Sequence, residues 1–208
     1  MAFEKERQFF ADYKSSIEDR DVILREFLSA CLAVNLRFDT AIYENRFIVG
    51  GVVEQLVGAS MRAVGCDVDN VAKTSRGVDL SIQGFDIGFS VKSQFKKGPE
   101  IRLVNTMGGS GASATWTHAT IFVIVDVGIG YADPDLLLDG LVSRSDVLTL
   151  RLSSLLDLWE GQSQYLIECD IPAKPKKRSN NSRVASDVVA HDIMIDFKNL
   201  IGHYRPER

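Results

Sequence analysis

The stretch Gly88–Gln94, GFSVKSQ, decides how the middle of this chain is read. In a strand, residues i and i+2 share a face. Here Ser90, Lys92 and Gln94 therefore point one way and Phe89 and Val91 the other. Just upstream, Val78, Leu80 and Ile82 alternate with Asp79 and Ser81, and Phe85, Ile87, Phe89 and Val91 alternate with Asp86, Gly88, Ser90 and Lys92. This is the period of two half-buried strands, and Gln83-Gly84 between them predicts a hairpin. A two-residue turn sets Asp79 opposite Gly88; a four-residue turn, Gln83 to Asp86, sets it opposite Ser90. Both registers keep Asp79 and Lys92 on one face, and the second brings them within about 7–8 Å on a diagonal. The plain alternative is the solvated polar side of an ordinary hairpin.

Before the hairpin, the spacing predicts three helices: over 3–18 (Phe10, Tyr13, Ile17), over 21–36 (Ile23/Phe27, Leu24/Leu28/Cys31/Leu32), and from about Glu44 to Val64, stopping at Gly65. On the third, Glu54 shares its face with Phe47, Gly50, Gly51, Val57, Gly58 and Met61, while Val52, Leu56, Ala59 and Ala63 lie opposite. A helix apolar all round is buried. Glu54 is thus a carboxylate on a buried helix, beside glycines that admit close approach of another element. Such a charge needs a cation, a metal or a proton. A structural salt bridge, with Arg62 or a more distant arginine, is one answer.

Beyond the hairpin, Ile101–Asn105 is a further strand and 106–118, TMGGSGASATWTH, a Gly/Ser-rich loop. ATIFVIVDVGIG, 119–130, is one apolar run of strand length, fitting a strand covered on both faces. YADPDLLLDG reads as a loop in which Asp133 and Asp135 belong to a polar turn. A strand over 147–152, a helix over 153–159, a strand over 165–171, a basic linker over 172–183 and a last helix over roughly 183–199, capped by Ser182, complete the order. Helices before and after a run of strands predict one α/β domain with a mixed sheet.

The bulk composition agrees. At 208 residues, 45% hydrophobic and 25% charged, one globular domain is expected. A formal charge of −4 argues against a general nucleic-acid coat protein but leaves room for a local basic groove. Cys31, Cys66 and Cys169 show neither zinc nor disulfide spacing, which points to a reducing, cytoplasmic setting. MAFEKERQFF lacks a signal-peptide core, and no apolar run spans a bilayer, so no membrane is expected.

A helical acid, then a strand acid, then x-Lys on the next strand is an order that resembles the PD-(D/E)XK nuclease superfamily, the restriction-endonuclease-like fold. The residues that carry it are Glu54, Asp79 in GVDLSI, and Ser90-Val91-Lys92. The resemblance covers 44–126, with 1–43 as N-terminal helices and 127–208 as C-terminal elements. Two positions depart from the pattern: Val78 stands where a proline is usual, and Ser90 where Asp or Glu is usual. A Ser-x-Lys version is similar to some type II restriction endonucleases, in which another carboxylate takes over; Glu54, Glu100 and Asp86 are the candidates.

The resemblance implies a restriction-endonuclease-like mixed β-sheet flanked by helices and a Mg²⁺-dependent DNA endonuclease, most simply a type II restriction enzyme acting as a homodimer on double-stranded DNA. Glu54, Asp79 and Lys92 would be catalytic. Asp79 and Glu54 would hold the metal with the Val91 carbonyl and, weakly, Ser90. Phosphodiester hydrolysis needs neutralised phosphate charge and an activated water, which hard oxygen ligands for Mg²⁺ and a lysine supply. Ser93, Gln94, Lys96, Lys97, Asn105, Trp116, His118, Lys176, Lys177 and Arg178 are the candidate DNA contacts. A catalytically degenerate DNA-binding module of the same fold, and a structure-specific repair or recombination nuclease, are the alternatives.

Overall fold

The computed structural model describes all residues except 1, 41–42, 72–77, 86, 106–114, 138–139, 145–146, 174–184 and 207–208. Three helices open the chain, α1 (Glu4–Glu18), α2 (Asp21–Arg37) and α3 (Tyr43–Ala63). The strands β1 (Val68–Asn70), β2 (Leu80–Ile82), β3 (Gly88–Gln94), β4 (Glu100–Asn105), β5 (Thr120–Ile124), β6 (Gly128–Ala132), β7 (Leu141–Arg144) and β8 (Val147–Arg151) follow. Then come α4 (Leu152–Gly161), a 3₁₀ turn, β9 (Leu166–Glu168), α5 (Ser186–Met194) and α6 (Lys198–Ile201).

The expected mixed α/β architecture is present. A six-stranded sheet runs β1-β2-β3-β5-β6-β9, with β3 and β5 parallel and the other neighbours antiparallel. The hairpin takes the four-residue turn: Leu80 pairs with Phe89 and Ser81 with Gly88, and Ile82 N–H donates to Ile87 O at 3.0 Å. Asp79 N–H donates to Phe89 O at 2.8 Å, the carbonyl of the residue that Leu80 already faces, so the regular ladder ends there and Asp79 meets Ser90 and Val91 through its carboxylate. Phe85 therefore lies in the turn rather than in a strand, and is 54% exposed.

Register assigns the faces. Phe89, Val91, Ile121, Val123, Ile129 and Tyr131 share one side of the sheet. There α1 packs, with the Phe9 and Phe89 rings 5.9 Å apart and Phe10 and Tyr131 5.5 Å apart. Ser90, Lys92, Thr120 and Phe122 share the other, where Trp159 of α4 meets Phe122 edge-on and its indole N–H donates to Tyr131 O. Such ring pairs add directional attraction to the burial of large apolar surface. Helix α3 lies along β1 and β3. Gly58 sits where a Cβ would strike Asn70 of β1, and Asn70 Nδ2 donates to the Glu54 carbonyl, so a glycine of the helix does admit a close neighbour.

Five expectations change. The run 119–130 is a hairpin, not one strand: Asp126 (φ 58) and Gly128 (φ 134) take left-handed backbone and turn β5 into β6. Strand β4 leaves the main sheet and joins β8 and β7 in a second, three-stranded one. Strands β1 and β7, three and four residues long, carry too little alternation to be visible in sequence. The strand expected over 165–171 shortens to β9, after the 3₁₀ turn Ser163–Tyr165. The last helix is two helices, because Glu26 of α2 accepts from Asn199 N–H and Leu200 N–H and starts α6 afresh. The Ser182 cap and most of the basic linker lie outside the described residues.

Candidate functional site

Helix α3 is buried along Ile48–Arg62 except for Gly50 and Glu54, and Arg46 and Phe47 precede them on the same stripe. These residues recur every four positions or so, which places them on one helical face. That stripe is one wall of an open pocket of about 370 Å³; the other wall is the hairpin, with Asp79, Ser90 and Lys92. Glu54 is therefore half-buried at a pocket edge rather than enclosed, and Phe47 is 51% exposed. The expected salt bridge with Arg62 does not form. That guanidinium donates to His203 O, Val68 O and Asn70 Oδ1, and burial lowers its pKa to about 10.

The hairpin side is a connected set of hydrogen bonds. Lys92 Nζ donates to Ser90 Oγ at 2.7 Å and to Val91 O at 3.1 Å. Ser90 Oγ donates to Asp79 Oδ2 at 3.0 Å, and Val91 N–H donates to the same oxygen at 2.6 Å. Lys92 Nζ stands 3.7 Å from Asp79 Oδ2, beyond a direct hydrogen bond, so the Ser90 hydroxyl is the bridge between ammonium and carboxylate. An N–H from β3 fixes the carboxylate on the approach to β2, which ties the geometry of the site to the register of the sheet.

The pocket gathers Glu54, Asp79, Ser90, Val91, Lys92 and Ser93. The other expected contacts scatter. Gln94 Nε2 donates to Gly98 O. Lys96 and Lys97 are exposed beyond the strand, Lys97 paired with Asp126 at 2.6 Å. Trp116 corrects the expectation of a stacking surface: it is buried, and its indole N–H donates to Thr120 Oγ1. His118 is half-buried beside Thr117 and lines a second pocket. The Asn105 side chain, Lys176, Lys177, Arg178 and Asp86 lie outside the described residues. Of the other acids named to stand in for Ser90, Glu100 is in β4, accepts from Thr149 Oγ1 and does not line the pocket. The spacing places Phe47 on the Glu54 face without a role, and Arg46 was missed, although eight residues before Glu54 is helical spacing for one face.

Asp133 is a structural acid. It is fully buried and accepts from Arg7 Nε at 2.7 Å, Arg7 Nη2 at 2.8 Å, Tyr131 Oη and two backbone N–H groups, of Asp135 and Leu136.

Mg²⁺ is held in proteins by one or two carboxylates, with waters and substrate phosphates completing its shell. Glu54 and Asp79 in one open pocket fit that habit. Ser90 is a neutral oxygen whose hydroxyl already donates to Asp79 and accepts from Lys92, which leaves one lone pair for a weak contact. Among the described residues no three His, Cys, Asp or Glu side chains gather into a self-sufficient metal site, and no helix is long and apolar enough to cross a membrane. Comparison with family models, with curated proteins and with solved structures finds no match to this chain.

Proposed function

We propose that the chain is a Mg²⁺-dependent DNA endonuclease of the PD-(D/E)XK kind, acting on double-stranded DNA as a type II restriction enzyme does and working as a cytoplasmic homodimer. The observation that carries this reading is the convergence of Glu54 from α3, Asp79 from the β2 side and Lys92 from β3 on one pocket. The mixed sheet, with α1 packed on one face and α4 on the other, supports it.

On this reading Asp79 and Glu54 hold the metal, which when bound supplies charge neutralisation at the phosphate and a more acidic water. Lys92 is positioned by Ser90 and the Val91 carbonyl to face the scissile phosphate and to orient the attacking water. Arg46 at the pocket mouth adds a cation for a flanking phosphate, and such contacts raise affinity without reading sequence. The test is supercoiled-plasmid cleavage with Mg²⁺. Wild type cuts, and Lys92→Ala and Asp79→Ala are slower by orders of magnitude; equal cleavage by the variants refutes the assignment.

One observation favours a second reading. Ser90 stands at the acid position with its hydroxyl spent on Asp79 and Lys92, as in a site that has lost catalysis and kept its fold. A DNA-binding module of that kind binds DNA equally with or without Mg²⁺ and never cuts it.

A further inference from the structure

The candidate site adjoins a second pocket, of about 530 Å³, and the two share Val78. Of the Phe, Tyr and Trp side chains that are described, all are buried or half-buried except Phe47 and Phe85, at 51% and 54% exposure. Phe47 lines the first pocket and Phe85 the second. A single exposed apolar side chain is ordinary. Both exposed rings on one pair of adjoining pockets is not. Each ring also has a cation beside it. Arg46, one residue before Phe47 on α3, lines the same pocket, with its Nε donating to the Thr40 carbonyl at 2.9 Å. Lys5 Nζ lies 5.0 Å from the centroid of the Phe85 ring. Asp79, next in sequence to Val78, belongs to the part of the first pocket that borders the second, and Lys92 shares that pocket with it.

A base inside a duplex is stacked on its neighbours and shows a protein only its edges. A base in an unpaired strand shows its face as well. That face stacks on an aromatic side chain whatever the sequence, and a nearby cation takes the phosphate. We propose that the DNA strand held at Asp79 and Lys92 is bound unpaired, with one base stacked on Phe47 and another on Phe85. The substrate class is then single-stranded or locally unpaired DNA. This rests on the DNA reading above and names the form of DNA which that site takes. Arg46 and Lys5 meet the flanking phosphates and Lys92 the central one. Phenylalanine rings carry no hydrogen-bonding groups, so the pair of rings senses whether the strand is unpaired and does not read its sequence. A duplex engages such a site only where it opens, which negative supercoiling of a plasmid favours.

The test is fluorescence anisotropy with the full chain in EDTA, where binding is read apart from cutting. The probes are labelled oligo(dT) of about 12 nucleotides, a blunt duplex of that length, and an abasic strand with the same phosphates. Oligo(dT) binds about tenfold or more tightly than either of the others. Phe47→Ala and Phe85→Ala each weaken oligo(dT) by about five- to hundredfold, the effect of losing one stacked base, and leave the abasic strand unchanged. Phe47→Trp keeps the affinity and Phe47→Leu does not. Both rings are exposed, so these variants keep the fold, which their melting temperatures check. The proposal is overturned if the duplex or the abasic strand binds as tightly as oligo(dT), if either alanine variant binds oligo(dT) as wild type does, or if Phe47→Leu matches Phe47→Trp. The two readings fail separately. A single-strand preference in a chain that cuts nothing with Mg²⁺ keeps the stacking site and sinks the nuclease alone. Equal cutting of gapped and fully paired linear duplexes, without that preference, sinks the stacking site alone.

Discussion

Gly88→Ala tests the register that builds the candidate site. Gly88 pairs with Ser81 across the β2–β3 ladder. A Cβ there would overlap the Leu80 carbonyl oxygen, far inside the 3.0 Å that Cβ contacts essentially never breach, and would sit 3.2 Å from Leu80 C and Ser81 Cα. The obstacle is backbone, so no side-chain rotation relieves it. The hydrogen bonds Asp79 N–H to Phe89 O and Ile82 N–H to Ile87 O hold β2 in place on either side. Overpacking a well-packed site costs about 1–3 kcal/mol, and a rigid neighbour puts this case near about 3 kcal/mol. For a chain of this length that is a drop in melting temperature of about 6–12 °C. Gly161→Ala is the matched control: nothing lies within 4 Å of its Cβ, at the end of α4, and the change is neutral or stabilising by about 0.4–1 kcal/mol. Thermal unfolding followed by circular dichroism measures both. If Gly88→Ala melts within about 2 °C of the control, the strands are not paired as described. On the nuclease reading the same variant also loses cleavage, since β2 carries Asp79 away from Ser90.

Arg7→Ala strands the fully buried Asp133 carboxylate and lowers stability by about 3–5 kcal/mol in denaturant titration; a loss under about 1 kcal/mol would show that the pair is dispensable. Glu6 titrates above its unfolded value of 4.5, chiefly through desolvation, so its contribution to stability is complete below that value and is lost as pH rises through the folded one. Glu6→Gln should therefore gain on wild type in melting temperature as pH rises above 4.5, and a constant difference would contradict the burial. Burial pushes the Cys66 thiol up to about 11 and Cys169 up to about 12, and raises fully buried Cys31 as well. Iodoacetamide at about pH 7.5 should label all three quickly only after unfolding, and fast native labelling of Cys31 or Cys169, read by mass spectrometry, would be inconsistent with this packing.

What the sequence made legible was local. The 3.6-residue spacing of Phe10, Tyr13 and Ile17, and of the apolar residues of α3, marks helices whatever they pack against. The period-two pattern around Asp79 and Lys92 puts both on one face in either register. The rest depended on partners distant in sequence. Whether Asp79 meets Gly88 or Ser90 turns on a four-residue loop that the composition of Gln83-Gly84 does not specify. Strand β1 exists because β2 pairs with it, and β4 leaves the main sheet because β8 offers it a longer ladder. The split at Asp126 was legible in principle, since an aspartate followed two residues later by glycine inside an apolar run is turn chemistry, but continuous hydrophobicity outweighed it. The buried role of Trp116 had no sequence signal, because its partner, the Thr120 hydroxyl, lies at the start of a strand whose depth the loop does not reveal.

Serine at position 90 changes the electrostatics of the site as well as its ligand count. Glu54 and Arg46 of α3 and Asp79 and Lys92 of the hairpin line the pocket together, one carboxylate and one cation on each wall. An acid at 90 would add a third carboxylate within hydrogen-bonding reach of Asp79 and push one of the two toward protonation. The hydroxyl avoids that repulsion: it accepts from the ammonium, donates to the carboxylate and holds both without adding charge. On the nuclease reading, the balance also sets when a divalent cation enters. A pocket whose described charges cancel attracts Mg²⁺ weakly by itself, and the backbone phosphate restores the missing negative charge and an oxygen ligand together. Metal affinity then rises when DNA binds. By linkage, Mg²⁺ tightens DNA binding by the same factor, and the DNA-binding module of the second reading has no such coupling.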